Sequence, residues 1–316
     1  MKLGYLSMLV TLLIWASFFL SLKGGVNSNL TPADIALTRF CVPALLLLPL
    51  VWRARHQILS VPKYYLVGMF IGCGLPYLLV AGSAMQYVPV SHGSALIPGT
   101  LPLFVSGIAV ILFKQPLSQH RVFGLTAVLA GIFIFLFSNI QHVESSIDAE
   151  WDQTKGHLLL LLGSFMWATF TICARVANLN ALVSAGLISL ISAVTLVTSI
   201  MLGLLPSELN STQISEWPFE ELSIHIFVQG IGAGLIAAFT YLYAINTLGA
   251  ERAAAFGSAT PAIATLLAIP LFGETPSISA WIALSFISIG SLIASNIFMK
   301  NDDSLTYQPP AHKAKT

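Results

Sequence analysis

WASFFLSLK, residues 15–23, returns in altered form as WATFTICAR at residues 167–175. Both stretches open Trp-Ala-hydroxyl-Phe and both end on a cation, Lys23 and Arg175, at an offset of 152. A repeat this long, with its tryptophan inside an apolar run each time, asks whether one helix is built twice and in what solvent.

Composition answers the second question. Of 316 residues 56% are hydrophobic and 9% charged, with a mean hydropathy of +0.84, against the ~25% charged residues of a typical soluble chain. Stretches 3–22 and 157–174 approach the ~20 apolar residues that cross a bilayer as helix. The chain is a polytopic helical membrane protein. A net charge of +1 offers no surface for nucleic acid. Cys41, Cys73 and Cys173 sit in apolar runs, where a thiol behaves as a small hydrophobe and no disulfide is expected. The first apolar run is longer than a secretory signal core and ends at Lys23-Gly24-Gly25 rather than at a small-residue cleavage site, so it reads as a retained span.

Apolar runs between charged or turn-forming residues predict ten spans: 3–22, 33–52, 63–83, 91–113, 119–138, 156–175, 181–205, 223–247, 252–272 and 278–299. Cations near span ends stay cytoplasmic. With the N-terminus inside, the inner segments hold Lys2, Arg53, Arg55, Lys63, Lys114, Arg121, Arg175, Arg252, Lys300, Lys313 and Lys315, and the outer ones only Lys23 and Lys155. Both termini are therefore predicted to be cytoplasmic, in a multi-pass protein of the cell (inner) membrane. The polar, proline-containing tail after residue 300 reads as disordered.

The repeat extends well beyond the tryptophans. At the same offset Gly4 meets Gly156; at an offset of 159, Pro102 meets Pro261, Gln115 meets Glu274 and Gly131 meets Gly290. GMFIG at 68–72 and GIGAG at 230–234 place small-xxx-small pairs in the third and eighth spans. Five spans per copy is an odd number, so the second copy enters from the opposite face. The expected fold is all-α and integral to the membrane: ten transmembrane helices in two inverted five-helix repeats, 3–138 and 156–299, with an outer linker at 139–155 and a cytoplasmic tail at 300–316. Inverted repeats are typical of secondary transporters, whose substrate site lies near the midplane between the halves.

WASFF, the Pro32 to Arg39 stretch, LPLF in the fourth span and INTLGAERAAAFGSATPAIATLLAIPLFGE at 245–274 resemble the EamA-type members of the drug/metabolite transporter superfamily. The resemblance runs from about residue 4 to 298 and is most specific in the second copy, through Gly249-Ala250, Pro261 and Gly273-Glu274. The first copy has Lys114-Gln115 in place of Gly-Glu, so a role for that carboxylate does not carry over to it. The resemblance implies a ten-helix exporter of amino acids or related metabolites; nucleotide-sugar and sugar-phosphate carriers belong to the same superfamily.

A polar residue at depth must face protein or water and so marks a pathway. No Asp or Glu lies in the middle of a predicted span, which favours downhill transport over proton coupling. His92 and His157, both near span ends, are the candidate proton sites. Pro98, Pro102 and Pro261 are expected to break the fourth and ninth spans, freeing carbonyls that only a protein-lined or watery cavity satisfies. Thr100, Ser258 and Thr260 (with Ser94) are the hydroxyls beside those breaks. Trp15 lies eight residues before Lys23, about 12 Å along a helix, too deep for the interfacial aromatic belt. Trp167 is as deep from the other side. Tyr77, Tyr241 and Tyr243 complete an expected cavity for an amphipathic or aromatic solute. Arg39 is expected to be a structural charge that snorkels outward or pairs with Asp34. The expected partners are a small-molecule substrate and the lipid bilayer, with a homodimer left open. No cofactor or metal is expected. A channel would need a continuous polar stripe, and a membrane enzyme clustered His, carboxylate or Cys. Neither pattern is present, so no catalytic residue is assigned.

Overall fold

The computed structural model describes residues 2–114, 116–137, 147–248 and 256–294. Every regular element among them is a helix, as hydrocarbon requires of a chain that must satisfy its own backbone polar groups. In chain order they are α1 Lys2–Val26, α2 Pro32–Arg53, α3 Arg55–Ser60, α4 Lys63–Cys73, α5 Leu75–Ala84, α6 Val90–Phe113, α7 Gln119–Phe137, α8 Ile147–Ala177, α9 Ala181–Met201, α10 Glu208–Ser211, α11 Phe219–His225, α12 Ala237–Leu248, α13 Thr260–Phe272 and α14 Ile278–Ala294. A π-helical stretch, Ile226–Ile236, joins α11 to α12. Eight helical segments are long and apolar enough to cross a bilayer, and α13 and α14 are shorter apolar helices. On α1, Leu3, Leu6, Leu9 and Leu13 are roughly half exposed; their helical spacing makes a greasy outer stripe suited to lipid.

Local chemistry sets the ends. Thr31 caps α2 reciprocally with Asp34, and Pro32 occupies the first turn, where its missing N–H costs nothing. α6 and α13 both stop at a left-handed residue, Lys114 at φ 53° and Gly273 at φ 65°. The same stop therefore recurs 159 residues apart, at Lys114 for about 1–2 kcal/mol of strain that glycine avoids.

Packing survives exchange of the two segments 2–137 and 147–294. α2 lies along α9 and α7 along α14; α4 packs on α8 as α12 packs on α1, and α6 on α8 as α13 on α1. Small residues allow the close approaches: a Cβ on Gly68 or Gly72 would run into Cys173 or the backbone of α8, and one on Gly124 would stand 2.7 Å from the Gly290 carbonyl of α14.

Several expectations change. Pro98 and Pro102 do not break the fourth span, because α6 runs unbroken through both. Pro261 sits in the first turn of α13, starting that helix rather than interrupting it. The real interruptions are elsewhere. The third span parts at Gly74, whose extended backbone (ψ −152°) separates α4 from α5; Ser192 of α9 satisfies the freed N–H of Leu75 at 3.0 Å. The eighth span is interrupted by its π-helical turns. The seventh ends at Met201, short of 205, and the expected linker is helical from Ile147 onward. Gln115, Gly249, Ala250, Glu251, Arg252, the linker residues 139–146 and the tail 300–316 lie outside the described residues.

Candidate functional site

The helix pairs converge on a central cavity of about 590 Å³, its open mouth included. Trp15, Phe18 and Phe19 of α1 form one wall, Tyr77 and Leu78 of α5 with Trp167 of α8 another, and Arg39, Phe40, Cys73, Pro98, Ala233 and Thr260 complete it. Trp15 and Trp167 meet edge to face at 6.3 Å and 85°. Trp15 rests on Tyr241 at 4.9 Å, and Trp167 faces Tyr77 at 6.2 Å. Each tryptophan is thus steadied by a tyrosine from the opposite segment, and the four rings carry the exchange symmetry into the cavity. Such pairs add about 0.5–1.5 kcal/mol beyond burial.

The structure places the remaining expected residues as follows. Thr260 lines the cavity, and its hydroxyl is buried without a hydrogen-bond partner among the described residues. Thr100 is fully buried, its hydroxyl donating to the Leu96 carbonyl and sharing a hydrogen bond with the Ser164 hydroxyl of α8, so it ties helices together instead of facing solute. Ser94 donates to the Ser91 carbonyl. Tyr241 backs Trp15, whereas Tyr243 and Ser258 are partly exposed and outside the cavity wall.

Arg39 was not legible as a wall residue. Asp34 does not pair with it: the Asp34 carboxylate accepts from Thr31 N and Oγ1 at 2.9 Å, Ser207 Oγ at 2.5 Å and Glu208 N at 3.0 Å. That carboxylate binds the start of α2 to the α9–α10 connection. The guanidinium turns the other way, into the cavity, 5.7 Å from the Phe40 ring centroid. Gly234 of the π-helical stretch makes room, since a Cβ there would sit 3.0 Å from Arg39 Nη1. Among the described residues Arg39 has neither an ion pair nor a hydrogen bond, and no acidic side chain lines the cavity.

Hydrogen bonds tie α1, α6 and α8 together at the end where α1 finishes and α6 begins, while a second pocket lies between Leu22 and Gly25 of α1, Pro32 and Ile35 of α2 and Leu78 and Gly82 of α5. His92 Nδ1 and His157 Nε2 share a buried hydrogen bond of 2.9 Å. Ser21 meets His225 at 2.7 Å, and Lys23 donates to the carbonyls of Met85 and Val88 at 3.1 and 3.0 Å. Glu274, from the α13–α14 turn, accepts from Val90 N at 2.8 and 3.2 Å, serving as a cap that Pro89 lacks. Partial burial pushes the Glu274 carboxyl above its usual range, against the pull of the Val90 N–H and Lys23. Residues 90–97 of α6 are all buried, whereas most of 101–110 are partly exposed.

The model of the EamA-like transporter family matches residues 2–137 and again 154–296. The chain is similar to the uncharacterized inner membrane transporter YedA of Escherichia coli K12, at 26% identity over 283 residues, 87% of this chain and 85% of the relative. It is also similar to an uncharacterized transporter of Clostridium kluyveri, at 24% identity and with 96% of both chains covered. A protein of known crystal structure superposes with a TM-score of 0.59 at 20% identity, over 92% of this chain and 96% of that one, which shows a shared fold.

Proposed function

Because the chain belongs to the EamA-like transporter family, we propose that it is a secondary transporter that moves small amphipathic metabolites, amino acids and their relatives, outward by alternating access. The observation that carries the reading is the aromatic cavity to which both segments contribute, with Trp15 and Trp167 in contact across it and hydrogen bonds clustered at one end. Inverted repeats of five spans that exchange partners supply the rocking element of such a cycle. On the positive-inside reading the hydrogen-bonded end is the outer one, so this is an inward-open conformation ready to load from the cytoplasm, with both termini on that side. The membrane is the cell's inner membrane, the location in the name of the Escherichia coli relative. Transport needs no bond-making chemistry, so the protein is not an enzyme. A nucleotide sugar, the alternative cargo, brings several phosphate charges to a cavity whose walls hold a single cation among the described residues.

The test is flux into vesicles reconstituted with the full chain, using labelled amino acids, sugars and nucleotide sugars. Uptake of an amphipathic solute above protein-free vesicles, saturable and lost in Trp167→Ala, is expected. No flux for any solute overturns the carrier reading.

A further inference from the structure

We propose that Arg39 is the anchor for a carboxylate on the transported solute, and that the cavity selects organic monoanions with an apolar or aromatic body over zwitterions and cations. The proposal rests on the carrier reading above and revises its substrate class, from zwitterionic amino acids to their monoanionic relatives. Three observations carry it. First, Arg39 lines the cavity with no ion-pair or hydrogen-bond partner among the described residues, and its neighbours in the wall, Phe40, Cys73 and Tyr77, carry no carboxylate. Second, two acids of the described residues are engaged elsewhere: Asp34 at the α2 cap and Glu274 at the start of α6. Third, Thr260 presents in the same wall a buried hydroxyl without a partner among the described residues.

A lone cation at membrane depth is costly unless something neutralises it. Here the missing charge is supplied by the cargo. A guanidinium suits a carboxylate because its planar fork donates two parallel, charge-assisted hydrogen bonds. One cation neutralises one negative charge, which disfavours dianions. Among the described residues no carboxylate in the wall receives an ammonium, so a zwitterion gains at one end and loses the hydration of the other. Trp15, Phe18, Phe19, Trp167 and Tyr77 enclose the apolar body. Gly234 is the positioning residue that lets the guanidinium lie in the cavity.

Three solutes with one ring and closely matched chains separate the charges: 3-phenylpropionate, phenylalanine and 2-phenylethylamine. Binding to the purified full chain is read from quenching of tryptophan fluorescence, and flux from labelled solute in vesicles, with protein-free leakage subtracted. The expected result is binding and flux of phenylpropionate about tenfold above the other two, a preference of about 1.4 kcal/mol. Arg39→Gln should abolish that preference and Arg39→Lys restore part of it, both variants being checked for a monodisperse elution profile. Gly234→Ala should weaken phenylpropionate binding without affecting 2-phenylethylamine. Equal or better handling of phenylalanine or phenylethylamine by the wild type, or an unchanged preference in a folded Arg39→Gln protein, overturns the anion site. Selective phenylpropionate binding without flux overturns the carrier reading and leaves the site standing; neither binding nor flux of any of the three overturns both.

Discussion

Replacing Glu274 by Ala should open the hydrogen-bonded end of the cavity. Val90 N donates to Glu274 at 2.8 and 3.2 Å, and the residue before it, Pro89, contributes no side-chain cap to α6. The acceptor comes from the turn after Gly273, in the other matched segment, so the cap exists only while the two segments are closed over that end. Losing a helix cap costs about 0.5–2 kcal/mol, and relief from burying the carboxylate offsets part of it. About 1 kcal/mol net corresponds to roughly a fivefold larger open population. Cys73 lines the cavity and provides a native reporter once Cys41→Ser and Cys173→Ser leave it as the one thiol. Labelling of Cys73 by a membrane-impermeant thiol reagent, applied from the expected outer face, should speed up about fivefold in Glu274→Ala. A rate equal to the parent's would refute the trans-cap argument. Acidity provides a second arm. Burial raises the Glu274 carboxyl above its ordinary 4.5, so the sealed form binds the proton more tightly than an open, solvated form. Sealing is then strongest below the ordinary value and weakens as pH rises through the raised one. Lys23, the charged group facing Glu274, stays protonated across that window. Outer labelling, normalised to inner labelling, should therefore fall on acidification, and Glu274→Gln should flatten the dependence.

Other perturbations test separate parts of the account. Trp167→Ala removes one partner from both the Trp15 and the Tyr77 contacts and should lower stability by about 3–5 kcal/mol while abolishing solute binding; Trp167→Phe should restore most of the stability, as thermal unfolding in detergent would reveal. Asp34→Ala strips the acceptor from at least four donors around a fully buried carboxylate, and a loss of about 3–5 kcal/mol is expected; a melting temperature within a degree of the parent's would contradict it. If a proton gradient drives uphill flux in vesicles, His92→Ala or His157→Ala should remove the drive and leave downhill flux, since the two imidazoles share one hydrogen bond; persistence of the drive in both excludes the pair.

The amino-acid sequence by itself determined the solvent and the approximate spans. Hydrocarbon thickness imposes length and hydropathy on every span, a requirement each span meets by its own composition. The recurrence at an offset of 152 even anticipated that Trp15 and Trp167 would converge, because a helix duplicated from the opposite face returns its midpoint to the same depth. Local rules failed where a neighbour decides. Pro98 and Pro102 read as breaks, yet α6 stays continuous, with the Thr100 hydroxyl bonded to the Leu96 carbonyl and to Ser164; Gly74 became the real break, its freed N–H held by Ser192 from another span. Only the tertiary structure decided which charges are satisfied. Asp34 stands five residues from Arg39 in sequence, but the α9–α10 connection captured it and left the guanidinium facing the cavity. Spacing along one helix sets what is within reach, while a hydrogen bond goes to whichever donor the rest of the chain brings to the carboxylate.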